Sequence, residues 1–165
     1  MRVHIATDHA GMEVCAHLVQ HLTAQGYDVV DHGPRQYDAQ DDYPDFCLRA
    51  AQAVAEEWAH QDDAAGPGAA PALGIVLGGS GNGEQIAANK VTGIRAALAW
   101  SRDTARLARE HNNANVVGIG GRQHSLEEAA EIVEEFLTAQ WSGEDRHARR
   151  IGKISHYETT GEILD

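Results

Sequence analysis

Short apolar runs alternate along the chain with segments in which apolar residues recur at helical spacing. The apolar runs predict five strands, at residues 3–7, 27–30, 73–77, 94–99 and 116–119. The helical spacing and end signals predict helices over residues 12–25, 44–59, 102–111, 126–140 and 144–157, with a shorter helix after residue 83. Strands that alternate with helices predict an α/β fold, so we expect a three-layer α/β/α, Rossmann-like architecture with a central parallel sheet of about five strands.

The chain of 165 residues has the length of one domain. We predict a single domain over residues 1–158, with a C-terminal helix at 144–158 and a polar tail at 159–165. Residues 60–71 are rich in Gly, Pro, Ala and Asp, which indicates a flexible surface loop. This loop is not interpreted as a domain boundary, because the two strands before it could not form a core alone.

Charge and composition narrow the classes of partner. The formal net charge of −12 argues against nucleic acid or an anionic membrane as a partner. The chain opens on a strand-like segment and contains no apolar run long enough to cross a membrane, so we expect a cytoplasmic protein. Cys15 and Cys47 lack metal or redox spacing and are predicted to be reduced core thiols.

A glycine-rich loop after the third strand carries the strongest chemical signal. Four of the six residues from Gly78 to Gly83 are glycine, and a helix is predicted to follow. Converging backbone N–H groups and a helix N-terminus make such a loop an anion site. The spacing matches a P-loop, but Glu84 stands in place of the phosphate-binding lysine, which favours a general base over a nucleotide site. The alternative is that Glu84 merely complements the helix dipole.

Ligands of parallel sheets bind beyond the carboxyl ends of the strands. This rule predicts that four segments lie close together in space, although they are far apart in the chain. They are Asp8-His9, the loop 78–84, Trp100-Ser101 and the segment 120–122. A turn is the alternative interpretation of Asp8-His9.

Two further groups have both a structural and a functional interpretation. His111, Asn112 and Asn113 follow a helix, so they can form a C-cap or supply a general acid. Arg146 and Arg150 share a helical face, which is either a solvated basic surface or a phosphate clamp. Two possible metal sites are interpreted as structural. His17 and His21 have metal-ligand spacing but lack a third ligand, so we interpret them as surface residues. The acids Asp38, Asp41, Asp42 and Asp45 lack an EF-hand pattern, which indicates a solvated loop.

Taken together, these motifs resemble the type B ribose-5-phosphate isomerases, and the resemblance covers nearly the whole chain. The motifs are Asp8-His9-Ala10-Gly11, Asp42-Tyr43-Pro44, the loop 78–84 with Ile86 to Lys90, His111 to Ala114, Gly118 to Arg122, and Arg146 with Arg150. One branch of the family uses a cysteine at the start of the glycine loop as the base, where this chain has Gly78. The other branch uses a glutamate at the end of the loop, and Glu84 matches it.

The resemblance implies an aldose–ketose isomerase of the pentose phosphate pathway that converts ribose 5-phosphate to ribulose 5-phosphate without a metal or cofactor. It also implies a homodimer, or a dimer of dimers, with active sites at the subunit interface. Glu84 would be the base, and His111 with Asp8 would open the sugar ring. The implied substrate-binding residues are His9, Gly79, Ser80, Gly81, Asn82, Gly83, Asn112, Arg122, Arg146 and Arg150. Alternatives are a six-carbon substrate such as allose 6-phosphate and a non-catalytic phosphate- or nucleotide-binding module.

Overall fold

The computed structural model describes residues 1–60 and 70–164, so residues 61–69 of the predicted loop lie outside it. The strands of the described chain are β1 (Arg2–Ala6), β2 (Asp28–Asp31), β3 (Ala72–Gly78), β4 (Ala96–Leu98) and β5 (Val116–Gly120). They form one sheet in the order β2-β1-β3-β5-β4, and every neighbouring pair is parallel. The prediction of a central parallel sheet of about five strands is confirmed.

Six helices in the described residues follow the predicted pattern with small changes at their ends. They are α1 (Met12–Ala24), α2 (Tyr43–Ala59), α3 (Asn82–Ala88), α4 (Arg102–Asn112), α5 (Leu126–Thr138) and α6 (Asp145–Thr160). Ser101 and Ser125 both form the capping boxes that begin α4 and α5. None of the helices within the described ranges combines the length and the apolar character needed to cross a bilayer.

The two faces of the sheet follow the alternation of side chains along each strand. Val3 and Ile75 belong to the face that packs against α1, α4 and α5. Val76 and Val116 belong to the opposite face, against α2 and α3. All seven residues of β3 are buried, because this strand is central and covered on both sides. The three layers that the sequence predicted are therefore present.

One predicted strand is shorter than expected. The apolar run at 94–99 gives a strand only from Ala96 to Leu98. The amide of Ile94 closes a turn on the Val91 carbonyl at 3.1 Å, and the amide of Arg95 donates to Asn115 Oδ1 at 2.8 Å. Both amides bond to partners outside the ladder, and the strand starts two residues later than predicted.

The last helix is mostly exposed. Of the residues of α6, all of which the structure describes, only His147 is buried. The apolar side chains of Ile154 and Tyr157 are each 57% exposed, and Ile163 after the helix is 82% exposed. The helix also ends at Thr160, two residues into the predicted polar tail. An exposed helix that carries apolar side chains is typical of an interaction surface.

Candidate active site

The glycine loop turns sharply between β3 and α3 because two of its glycines lack side chains where there is no room for them. Gly81 has φ of 78°, a left-handed conformation, and a Cβ there would lie 2.8 Å from the Ile119 carbonyl carbon. A Cβ on Gly83 would lie 2.6 Å from Cζ of Tyr43. The close approach of these neighbours fixes the path by which the backbone reaches α3.

Glu84 lies in the first turn of α3, and its side chain is directed into the loop instead of into solvent. It is 5% exposed, and its Oε2 has no hydrogen-bond partner among the described residues. A Cβ added to Gly78 would overlap the carboxylate, so the carboxyl group lies directly against the end of β3. Burial raises the pKa of Glu84. A hydrogen bond from its own backbone amide opposes this rise, and the charge of Asp8 adds to it. The net direction, which the sequence left open, is upward.

Asp8 and His9 follow the end of β1 and are held by local hydrogen bonds. Asp8 is 7% exposed, and its Oδ1 accepts the amide of Ala10 at 2.9 Å, which caps a short 3-10 turn. The His9 ring bonds to Asp41, with Nδ1 and Oδ1 2.6 Å apart. Both side chains are thereby fixed at the edge of the sheet where the glycine loop lies.

Arg122 reaches the same edge from the end of β5. Its amide donates to the carbonyl of Gly79 at 3.2 Å, and the amide of Gly121 donates to the carbonyl of Gly78 at 2.7 Å. A Cβ on Gly79 would lie 3.7 Å from both Cδ and Nη1 of Arg122, and 4.0 Å from Cβ of Ala10. The predicted proximity of the first strand's end, the glycine loop and the segment 120–122 is thus confirmed.

Ser80 and Asn82 lie on the other side of the loop and face a cavity of about 380 Å³. The Ser80 hydroxyl accepts the amide of Asn82 at 3.3 Å. Trp100, from the end of β4, also lines the cavity, together with Gln123 and His124. Trp100-Ser101, the fourth segment that was predicted to lie at this edge, is therefore beside the loop as well.

His111 and Asn112 lie at the opposite edge of the sheet, which is the edge where the parallel strands begin. Since β4 and β5 are parallel, α4 must carry the chain back between them, and both residues fall in its last turn. Arg95, which directly precedes β4, donates through Nε to the Asn112 carbonyl at 3.0 Å. Asn113 caps the helix in a left-handed conformation with φ of 43°. The predicted C-cap is confirmed, and α4, roughly 16 Å long for its 11 residues, carries His111 away from the edge at which the glycine loop lies.

Arg146 and Arg150 lie on the same side of the sheet as His111, away from the glycine loop. The link between α5 and α6 is bonded to the end of α4, because the amide of Ser142 donates to the Glu110 carbonyl at 3.1 Å. The ring of His147 lies 4.3 Å from the ring of His111, centroid to centroid. Arg146 and Arg150 are exposed, and Arg146 pairs with Glu144 at 2.7 Å. The candidate residues of one chain thus fall into two groups at opposite edges of the sheet.

Three residues near these groups were not predicted as parts of a site. They are Asp41, Tyr43 and His147. The interpretation of the acidic loop as solvated holds for Asp38, Asp42 and Asp45, which are exposed, but it is wrong for Asp41, whose side chain is 9% exposed. Asp41 and His9 are 32 residues apart, and no periodicity in the sequence reports such a contact.

Asp8, His9 and Asp41 are the group within the described ranges whose ligand atoms lie close enough to hold a cation, within 4.8 Å of one another. The short bond between His9 Nδ1 and Asp41 Oδ1 already joins two of these atoms. A cation that used both atoms would have to break this bond. We therefore interpret the group as a hydrogen-bonded pair beside Asp8, and metal-free chemistry stays a prediction.

Both cysteines are free and buried, as the sequence predicted. Burial raises the pKa of the Cys15 thiol to about 12. Burial also raises the pKa of the Cys47 thiol, and the negative charges of Glu84 and Asp8 add to this effect. The raised pKa of each thiol disfavours the thiolate at neutral pH, and Glu84 is the ionisable residue within the loop 78–84 itself.

Comparison with known proteins gives consistent matches over nearly the full chain. The family model described as Ribose/Galactose Isomerase matches residues 3–154. The ribose-5-phosphate isomerase B of Mycobacterium tuberculosis H37Rv is 53% identical over 162 residues, which are 98% of this chain and 93% of that protein. The solved structure of ribose-5-phosphate isomerase B from Mycoplasma genitalium with bound ribulose-5-phosphate is similar, with a TM-score of 0.86 and 41% identity, covering 96% of this chain and 97% of that chain. The Clostridium thermocellum enzyme has a TM-score of 0.85 and 39% identity, covering 98% and 100%.

Proposed function

Because this chain belongs to the Ribose/Galactose Isomerase family, we propose that it interconverts D-ribose 5-phosphate and D-ribulose 5-phosphate. The relatives that cover nearly all of the chain are named ribose-5-phosphate isomerase B, and the Mycoplasma genitalium structure holds the ketose product of this reaction. The chain is therefore an aldose–ketose isomerase, and its substrate is a five-carbon sugar phosphate.

One observation carries the assignment of the base. The carboxylate of Glu84 is buried against Gly78 at the glycine loop, with Oε2 free of partners in the described part of the chain. A carboxyl group that only complemented a helix dipole would have no reason to be desolvated in this way. The burial that raises its pKa also makes the carboxylate a stronger base.

The reaction proceeds through an enediolate. Glu84 takes the C2 proton of the open-chain aldose, the electron pair forms the C1–C2 double bond, and the carbonyl oxygen becomes negative. Backbone N–H groups of residues 79–83, with Ser80 and Asn82, stabilise that oxygen as charge develops, and losing one such donor typically costs about 10²–10³-fold in rate. Glu84 then returns the proton to C1, and the C2 hydroxyl passes its proton to the O1 oxyanion, which leaves the C2 carbonyl and the C1 hydroxyl of the ketose.

The remaining roles concern ring opening and binding. His111 donates a proton to the ring oxygen of the furanose, and Asp8 is its partner in this step. His9, Arg122, Arg146 and Arg150 bind the phosphate, and Asn112 binds a sugar hydroxyl. Arginine suits this task because its guanidinium group pairs with phosphate oxygens in a fork.

These roles require two chains. Glu84, Asp8 and Arg122 lie at one edge of the sheet, while His111, Arg146 and Arg150 lie at the other. A substrate that contacts both groups must bind where one edge of one chain meets the other edge of a second chain. A homodimer with two equivalent interface sites meets this requirement, and the exposed apolar residues of α6 supply a surface for it. The assembly of two such dimers is the larger alternative.

The cytoplasm is the predicted location. The two cysteines are free and buried, which is consistent with a reducing compartment.

The direct test is to incubate the purified protein with ribose 5-phosphate, with and without a chelator, and to measure ketose formation. We expect turnover that the chelator does not change. Glu84→Gln should reduce kcat by about 10²–10⁴-fold while leaving sugar-phosphate binding nearly intact. Glu127→Gln, an exposed glutamate in the first turn of α5, is the matched control and should behave as wild type.

Two outcomes would favour the alternatives. A higher kcat/KM for allose 6-phosphate than for ribose 5-phosphate would assign a six-carbon substrate. If the protein binds sugar phosphate without turnover, and Glu84→Gln does not change the affinity, the chain is a non-catalytic binding module.

A further inference from the structure

Asp41 makes the closest side-chain contact to His9, and nothing in the proposed reaction accounts for it. Its Oδ1 lies 2.6 Å from His9 Nδ1 and also accepts the backbone amide of His9 at 3.2 Å. The side chain is 9% exposed, and Oδ2 has no partner among the described residues. A carboxylate is desolvated here at a cost, so the bond it makes is stronger than the same bond in water.

The loop between β2 and α2 is folded in a way that brings Asp41 to this place. Its first part is joined to β1, because the amide of Thr7 donates to the Gly33 carbonyl at 3.1 Å. Its last part turns back on itself, with the amide of Asp41 bonded to the Asp38 carbonyl at 3.1 Å. Two residues later, Tyr43 lies against Gly83 of the glycine loop. The loop is thus held on both sides of the candidate site.

The contact fixes which nitrogen of His9 is available. Since a carboxylate only accepts, Nδ1 must carry a proton and donate it to Asp41. Tyr37 packs edge-on against the ring, with centroids 6.0 Å apart and planes at 88°, which limits ring rotation. Nε2, on the other side of the ring, is then the nitrogen left to meet a ligand.

We propose that Asp41 is a positioning residue for phosphate recognition, which holds the His9 ring with Nδ1–H on the carboxylate so that Nε2–H donates to the substrate phosphate. The proposal rests on the proposed function, in which His9 binds the phosphate. Asp41 itself touches neither the substrate nor the reacting carbons. Its loss should therefore weaken binding and leave the chemical step almost unchanged.

The kinetic test compares Asp41→Ala and Asp41→Asn with the wild type, using ribose 5-phosphate as substrate and inorganic phosphate as competitive inhibitor. Asp41→Ala should raise KM and the phosphate inhibition constant on the order of tenfold, with kcat within about twofold. Asp41→Asn keeps an oxygen that can accept from Nδ1–H, so it should restore most of the affinity. Asp42→Ala is the matched control, because this neighbouring carboxylate is exposed and makes no capping bond.

A second readout does not depend on catalysis. With phosphate bound, nitrogen-15 NMR of the His9 ring should show protons on both Nδ1 and Nε2 in the wild type, whereas Asp41→Ala should lose the proton on Nδ1. If the wild type fails to isomerise ribose 5-phosphate, the proposed function falls, while the protons on the His9 ring and direct measurement of phosphate binding still test Asp41. Unchanged KM and inhibition constant in Asp41→Ala, a fall in kcat alone, or a wild-type His9 without a proton on Nδ1 would each overturn the proposal.

Discussion

The carboxylate of Glu84 occupies the space that a side chain at Gly78 would need. The two residues are therefore one structural unit: the glycine at the end of β3 leaves the volume, and the glutamate six positions later fills it. The family resemblance gives this relationship a chemical meaning, because one branch of the family uses a cysteine base at the position of Gly78. A base delivered from α3 can act in the same place only when the strand end has no side chain of its own.

The first prediction tests this coupling. Gly78→Ala should destabilise the fold by about 1–3 kcal/mol, because its Cβ forces the carboxylate to move, and it should abolish most activity. Glu84→Ala removes the clash, so the double variant should lose less stability than the two single changes added together. The free energies of unfolding of the wild type, the two single variants and the double variant measure this coupling. Strictly additive effects would mean that the carboxylate does not occupy this space.

The second prediction concerns pH and stability. Burial raises the pKa of Glu84 above its ordinary value of 4.5, so the folded state binds a proton that the unfolded state releases. This contribution is fully present below pH 4.5 and is lost as pH rises through the folded pKa. Glu84→Gln lacks this titration. The melting temperature of the variant, relative to that of the wild type, should therefore increase as the pH rises from acidic to neutral. Thermal unfolding across that range is the measurement, and a constant difference would contradict the raised pKa.

The third prediction tests whether two chains share each site. Glu84→Gln and His111→Ala should each be inactive as homodimers. When the two chains are mixed by co-expression, a heterodimer has one site with both changes and one site with neither. With random pairing, half of the dimers are mixed, and one of the two sites in each mixed dimer is intact. About a quarter of wild-type activity should therefore be restored. A site assembled within a single chain would show no restoration.

The fourth prediction separates ring opening from proton transfer. Ribulose 5-phosphate is acyclic, so exchange of its C1 hydrogen with solvent needs Glu84 but not the ring-opening acid. His111→Ala should therefore lose most conversion of ribose 5-phosphate but retain deuterium incorporation into ribulose 5-phosphate in heavy water, followed by NMR. Glu84→Gln serves as the contrast, since it should lose both. Loss of both in His111→Ala would place His111 in the proton transfer itself.

Much of the fold and one half of the site follow from local sequence signals. The apolar runs give the strands, Ser101 and Ser125 give two helix starts, and the strand-end rule brings Asp8 and Arg122 to the glycine loop. These features depend on nearest neighbours and on the geometry common to parallel sheets, so they can be read without a structure.

Other features depend on tertiary contacts that leave no local trace. The bond between His9 and Asp41 joins residues 32 positions apart, and Asp41 stands among acids that are exposed. The packing of the His147 ring, tilted by 43°, against the His111 ring depends on how α6 returns to the end of α4. The placement of His111 opposite Glu84 follows from the parallel sheet that the sequence predicted, but the placement of the arginines depends on the contacts that tie α6 to the end of α4.

The proposed carboxylate base, in place of a thiolate, would also affect the resistance of the protein to chemical modification. A thiolate base is readily converted by peroxide to sulfenic and then sulfinic acid, whereas a carboxylate is inert to such oxidants. The two sulfhydryl groups of this chain are buried and protonated, which protects them from peroxide and from alkylating agents. We therefore expect turnover to continue in the presence of iodoacetamide or hydrogen peroxide at concentrations that inactivate an isomerase with a cysteine base.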